Sequence, residues 1–195
     1  MTDPQIDRMR RREEHYERFF GPMEAAVMDS TDFKTPHIDI YQFSPRGDRD
    51  FWTLVTGGMS DLRQPQIPEG MNPRAELFLY ASQPEPWMFA VLKGLAEMPF
   101  DYNTYIHWWH TVPNGKPMTA RPSLLTNFFF LPPKMEEPAF NTLAIDGDPV
   151  DMLWMVPITD SERAFKVAHD SYALEDLFDE QQLSPVINES RSSLV

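Results

Sequence analysis

The chain has 195 residues, with 17 Lys and Arg against 30 Asp and Glu, a formal net charge of −13, and no cysteine. That length predicts one domain able to bury roughly 70% of the surface its unfolded form exposes. The missing cysteine excludes a disulfide framework, a thiol nucleophile and cysteine-rich zinc sites, and the acidic balance argues against a nucleic-acid binder, which normally shows a basic face. The first residues are charged and contain no apolar signal core, and no apolar run reaches the ~20 residues of a membrane helix. A cytoplasmic protein without membrane contact is expected. Nineteen prolines, single or paired between apolar runs, punctuate loops rather than forming a low-complexity tract.

Residues 5–20 place Ile6, Met9, Tyr16, Phe19 and Phe20 roughly on one helical face. Arg8, Arg10, Arg11 and Arg12 are offset by Asp3, Asp7, Glu13, Glu14 and Glu17, several at pairing distance along a helix, so a solvated face is expected there. Gly21-Pro22 ends this helix, and Pro22 suits the first turn of a second short one through Met28. Residues 30–36 read as a polar connection. Residues 37–43 alternate as a strand, and residues 51–56 are aromatic, β-branched or aliphatic. A turn with Pro45 and Gly47 joins the two into an antiparallel hairpin. Gly57-Gly58 then allows positive φ or close backbone approach. A β-bulge or tight turn is the first reading; the competing one is a bend that brings backbone amides and Asp61 to a ligand. No phosphate-loop pattern follows.

Residues 64–73 form a proline-rich loop. Residues 74–82 read as a central strand, with Leu77, Leu79 and Ala81 on one side and Glu76, Phe78 and Tyr80 on the other. A helix over about 85–98 turns Met88, Val91, Leu92 and Leu95 toward the sheet. Residues 123–131 form a strongly apolar strand. Residues 142–145 and 150–158 are two strands joined at Asp146-Gly147, a hairpin signal. Asp146, Asp148 and Asp151 lack the remaining ligands of a calcium loop and read as a solvated turn. Thr159-Asp160-Ser161-Glu162 is a capping box for a helix to about His169, and Ser171 is expected to cap a further one. Residues 185–195 read as a polar tail with a few apolar anchors, partly extended.

Residues 99–122 have no clean period and hold Tyr102, Tyr105, His107, Trp108, Trp109 and His110. His107 and His110 have the spacing of a helical metal pair, but no third ligand is local, so no metal is expected. His110 as a general base has no coupled nucleophile. The third reading is a cluster that packs and hydrogen-bonds, either as pure structure or with part of it forming a protein-contact surface, because Trp and Tyr bury large area while keeping a polar handle.

The run Trp52 to Leu62 resembles the signature of the suppressor-of-fused domain. The resemblance continues in order through Glu76-Leu77-Phe78-Leu79-Tyr80, Trp87 to Ala96, Trp109-His110-Thr111-Val112-Pro113, Ser123-Leu124-Leu125-Thr126 and Leu153 to Glu162, covering about residues 37–195. It implies an α+β fold, a single domain with a mixed, mainly antiparallel sheet packed with helices. Residues 1–30 are then a helical segment of the same domain and 31–195 the suppressor-of-fused-like part. The family is one of binding modules; its two-domain animal member grips an extended peptide by strand addition. A tyrosine that helps hold that peptide is matched here by Leu54, and the loop after Asp61 diverges, so the same peptide is not implied.

The resemblance to bacterial single-domain members implies a non-catalytic protein-binding domain, in its most specific form an immunity protein that neutralises a basic toxin encoded nearby. Asp61, Trp108, Trp109 and His110 are the candidate contacts, with no catalytic residue, metal or cofactor. The alternatives are a hydrolase-like enzyme using the cluster Tyr105 to His110, and a binder of extended peptides. A monomer or a sheet-edge dimer is compatible with each.

Overall fold

The structure is a computed structural model that describes residues 4–24, 36–119 and 121–195. The short helix expected after Pro22 and most of the 30–36 connection lie outside the described residues. The strands are β1 (Asp39–Phe43), β2 (Trp52–Gly57), β3 (Arg74–Ala81), β4 (Thr111–Pro113), β5 (Leu125–Leu131), β6 (Ala144–Ile145) and β7 (Asp148–Thr159). They form one sheet in the order β1-β2-β3-β7-β5-β4, with β6 on β7. Every pairing between these strands is antiparallel except the central β3–β7 pair, so the expected mixed sheet is observed.

Helices cover both faces. Helix α2 (Pro86–Asp101) packs Met88, Leu92 and Leu95 against Leu54, Leu77, Leu79, Phe128 and Phe130. Helices α1 (Pro4–Phe20) and α4 (Ser171–Glu180) pack Tyr16, Phe20, Leu174 and Phe178 against Phe43, Phe78, Tyr80 and Phe129 on the opposite face. Period-2 alternation thus sorts β3 as its sequence predicts, and all eight of its residues are buried. Helix α2 runs one turn past the expected end, with Pro99 inside its last turn; so near the end proline removes one ladder bond without stopping the helix.

The glycine bend resolves as a tight turn. A Cβ on Gly57 would lie 2.2 Å from the Tyr41 ring, and one on Gly58, whose φ is 113°, would lie 1.9 Å from the His37 carbonyl. The turn does present backbone amides to an anion, but the anion is internal. The N–H groups of Gly58 and Ser60 and the Ser60 hydroxyl donate to Glu76 Oε1 at 3.0, 2.9 and 2.6 Å, and Thr56 Oγ1 donates to Oε2 at 2.6 Å. Arg12 closes the cradle. Its Nε lies 3.9 Å from Glu76 and its Nη1 donates to Asp61. Arg12 is therefore not on a solvated face; it is buried beside the buried Glu76 carboxylate, whose charge needs a counter-ion there.

Three further expectations change. Asp146 and Gly147 form the hairpin turn with positive φ at both, yet the acids around it are not simply solvated. Asp146 pairs with Arg8 at 2.8 Å, and Asp148 accepts from Arg63 at 2.7 and 2.8 Å and from Arg74 at 2.9 Å. The cap of α4 is Asp170, which accepts from the Ala173 N–H at 2.8 Å; Ser171 is already helical. The Thr159–Glu162 capping box of α3 (Asp160–Ala168) is as predicted. Finally, the tail is built into the fold. Pairing of β3 with β7 ends at Phe78 and Trp154, and Val186 and Ile187 enter beside Tyr80, with the Ile187 N–H donating to the Tyr80 carbonyl at 3.0 Å. Arg191 then locks onto buried Glu162, at 2.5 and 2.7 Å, and onto the Pro157 carbonyl at 2.9 Å.

Removing Arg12 would strand a buried carboxylate. Arg12→Ala is expected to lower the unfolding free energy by ~3–5 kcal/mol, whereas Arg10→Ala, on an exposed turn of the same helix, should change it by no more than ~0.5 kcal/mol. Urea denaturation of the two variants checks this contrast.

Candidate functional site

The aromatic and histidine cluster occupies the approach to β4, the last strand of the sheet. After α2 the chain turns through Asn103, at φ 51°, and is then fixed by a reciprocal pair of bonds. The Ile106 N–H donates to Gln64 Oε1 at 2.9 Å, and Gln64 Nε2 donates to the Ile106 carbonyl at 3.1 Å. The proline-rich loop thus clamps the segment that leads into the cluster.

From there each side chain has an internal partner. His107 Nε2 lies 2.9 Å from Asp151 Oδ2, while Asp151 Oδ1 accepts from Asn72 at 2.7 Å. Trp108 donates its indole N–H to the Met152 carbonyl at 3.0 Å and packs on the α2 side. Trp109 sits at φ 63°, a left-handed conformation that costs a bulky residue on the order of 1–3 kcal/mol. Four contacts hold it there. Its N–H donates to the Phe130 carbonyl at 2.6 Å, its indole N–H donates to Glu175 Oε2 at 3.0 Å, its carbonyl accepts from Ser171 at 3.3 Å, and its ring lies 5.1 Å from that of Tyr172. The left-handed residue sends the two indoles to opposite faces of the sheet.

His110 stacks near Tyr105, with ring centroids 5.0 Å apart. Burial pushes its pKa down, and His107 and Lys166 push it further, against a backbone bond at Tyr105. It is neutral at pH 7. Among the described residues no three His, Asp or Glu side chains are placed to hold a metal ion.

The structure brings Trp108, Trp109 and His110 together and leaves Asp61 out. Asp61 belongs to the Glu76 cradle, where Arg12 occupies its carboxylate. Leu54 is fully buried beneath α2 and offers nothing to a partner. Tyr172 is the member that sequence reasoning passes over: it is 60% exposed beside Trp109. Its only signal is an aromatic residue in the first turn of an otherwise acidic helix. The strand edge completes the face. The Phe130 N–H bonds to the His110 carbonyl and the Asn114 N–H to the Thr126 carbonyl, so alternation directs the N–H and C=O of Thr111 away from the sheet. Pro113 offers no donor there, which blunts the edge.

The folded pKa of His110 lies below its unfolded value of ~6.5. Its contribution to stability is therefore complete above that pH and is lost as pH falls toward the folded pKa. His15, also lowered by burial, acts with the same sign. Unfolding free energy, followed by urea titration, should fall from pH 7 to pH 5.5, and the double variant His15→Gln/His110→Gln should flatten that slope.

A family model described as suppressor of fused protein matches residues 34–192. The fold is shared with a suppressor of fused homologue from Neisseria gonorrhoeae, at TM-score 0.78 and 22% identity over 97% of this chain and 98% of that one. It is also shared with a chain of the Sufu–Fu complex, at TM-score 0.71 and 16% identity over 98% and 92%. Drosophila Suppressor of Fused aligns at TM-score 0.69 and 16% identity over 98% of this chain but 51% of its own, so the present chain spans about half of that protein. No curated protein matches the sequence. With its fold and most of its length so matched, the chain belongs to the suppressor of fused family.

Proposed function

We propose that the chain is a non-catalytic protein-binding domain whose contact face is the Trp109–Tyr172 surface and the adjoining edge of β4. One observation carries the reading. Trp109 is held in a strained conformation by its own fold, and the result is a pinned indole beside an exposed tyrosine at an unpaired strand edge. Rigid aromatic area of this kind anchors interfaces at little entropic cost. A relative in the same fold is known from a complex with Fu, which supports protein recognition as the family's use of the scaffold.

The finer proposal is a cytoplasmic bacterial immunity protein that occludes a basic toxin encoded nearby. The net charge of −13 and the exposed acidic residues of α4, Asp176, Asp179 and Glu180, support a basic partner by steering its approach. Trp108 and His110 support the face from behind, and Asp61 is dropped from the contact set. A second reading, a hydrolase-like enzyme, draws on the 2.9 Å approach of His107 to Asp151, an arrangement that orients an imidazole. It predicts an activity lost in His107→Gln at nearly unchanged thermal stability; a large loss of stability in that variant makes the pair structural.

Affinity purification of the tagged protein from its host, at low and high salt, tests the main proposal. One stoichiometric basic partner encoded nearby, retained at low salt and lost at high salt, is expected. Tyr172→Ala should weaken that complex by about 2 kcal/mol, the scale of an interface anchor. A partner whose affinity ignores both salt and Tyr172→Ala would overturn the assigned face.

A further inference from the structure

The parting of β3 and β7 leaves a space that the tail only half fills. The two strands are parallel, and their pairing stops at Phe78 and Trp154 while each continues toward its carboxyl end. Val186 and Ile187 line the β3 side of the gap. Between them and β7 remains a half-enclosed cavity of about 260 Å³. Its walls are Leu125, Val156, Pro157, Leu183, Val186 and Leu194.

We propose that this cavity is a binding site for a small, uncharged, mainly apolar molecule. Three observations converge on that class. The walls are mainly aliphatic, with Gln181, Gln182 and Ser192 among the polar residues beside them, and Leu125 and Val156 are themselves buried, so an apolar body would exchange water for van der Waals contact. The charges nearby are already paired: both oxygens of Glu162 accept from Arg191, whose Nη2 also donates to the Pro157 carbonyl. A charged ligand would find no counter-ion. Part of the β7 edge is satisfied as well. The Thr159 N–H donates to Glu162 at 2.8 Å, the Pro157 carbonyl accepts from Arg191, and Pro157 has no N–H to leave unpaired, so these groups ask for no further backbone partner. Volume sets the size. The space exceeds the ~150 Å³ apolar cavity that takes benzene and falls just below the ~300 Å³ at which drug-sized pockets begin. Ser184 and Asn188, also in the lining, can meet one hydrogen-bonding group on the molecule.

The test is a titration of the full, methyl-labelled chain with indole, read by NMR. Saturable shifts confined to the methyl groups of Leu125, Val156, Leu183, Val186 and Leu194 are expected. Val156→Phe, which fills the space from β7, should abolish them while the rest of the spectrum is retained. If that variant fails to fold, the wild-type methyl map decides alone. Shifts that do not saturate, or that fall on the Trp109–Tyr172 face instead, overturn the proposal, as does a partner's side chain seated in the cavity of a protein that takes no indole.

Discussion

The Glu76 carboxylate is the constraint around which one half of the molecule is arranged. It lies on the central strand with no solvent exposure, and an unpaired carboxylate there would cost several kcal/mol. Burial raises its pKa, while Arg12 and the donors from Ser60 and Thr56 pull it back. Each of those donors comes from a different piece of the chain. Thr56 belongs to β2, Ser60 to the turn after Gly58, and Arg12 to α1. A single buried charge therefore fixes the bend, the helix and the strand relative to one another. It also explains why the turn needs glycine at two successive positions: the amides reach Glu76 only where no Cβ meets Tyr41 or the His37 carbonyl.

A second acid does the same for the other half. Glu162 reads as a helix cap, and it is one, but its carboxylate also receives Arg191 and the Leu194 N–H at 3.1 Å. The last described residues are thereby held across the gap between β3 and β7. Additional ties come from Trp87, whose indole donates to Glu189 at 2.9 Å, and from Ser123, which donates to the Glu189 carbonyl at 2.6 Å. A twisted sheet whose parallel central strands diverge would expose backbone at the split. Proline at 157 on one side and the Ile187 amide on the other answer that need without a further strand.

The elements were legible where local chemistry decides them. Alternation in β3, the Thr159–Glu162 box, the Asp146-Gly147 turn and the apolar spacing of α2 are set by residues a few positions apart, and the structure has them. What was hidden is set by distant partners. Arg12 looks like its neighbours Arg10 and Arg11 along the helix, and only the position of Glu76, 64 residues on, separates a buried arginine from solvated ones. Residues 185–195 are polar in composition because their polar groups are used inside the fold, which composition alone cannot distinguish from use by water. Strand β4 is three residues long with a proline at its end, too short to show a period. In the candidate site, the cluster Tyr105 to His110 stood out by density, whereas Tyr172 joins it only because α4 is folded back against Trp109.

The internal bookkeeping of that cluster constrains what kind of recognition it supports. Both indole N–H groups, the Trp109 carbonyl and the His107 imidazole already have partners within the chain. Few directed hydrogen bonds are left for a partner beyond the outward backbone groups of Thr111. What the face offers is ring area, fixed in place, bordered by the acids of α4. Lys134 already bridges Glu175 and Asp179, at 2.9 and 2.7 Å, so the local field is moderated at that point. Specificity on such a face comes from shape and from the sign of the surrounding charge, with affinity concentrated in a few aromatic contacts. On the proposed reading of this face, a partner needs a rigid complementary surface and a positive rim, and it does not need a particular linear sequence.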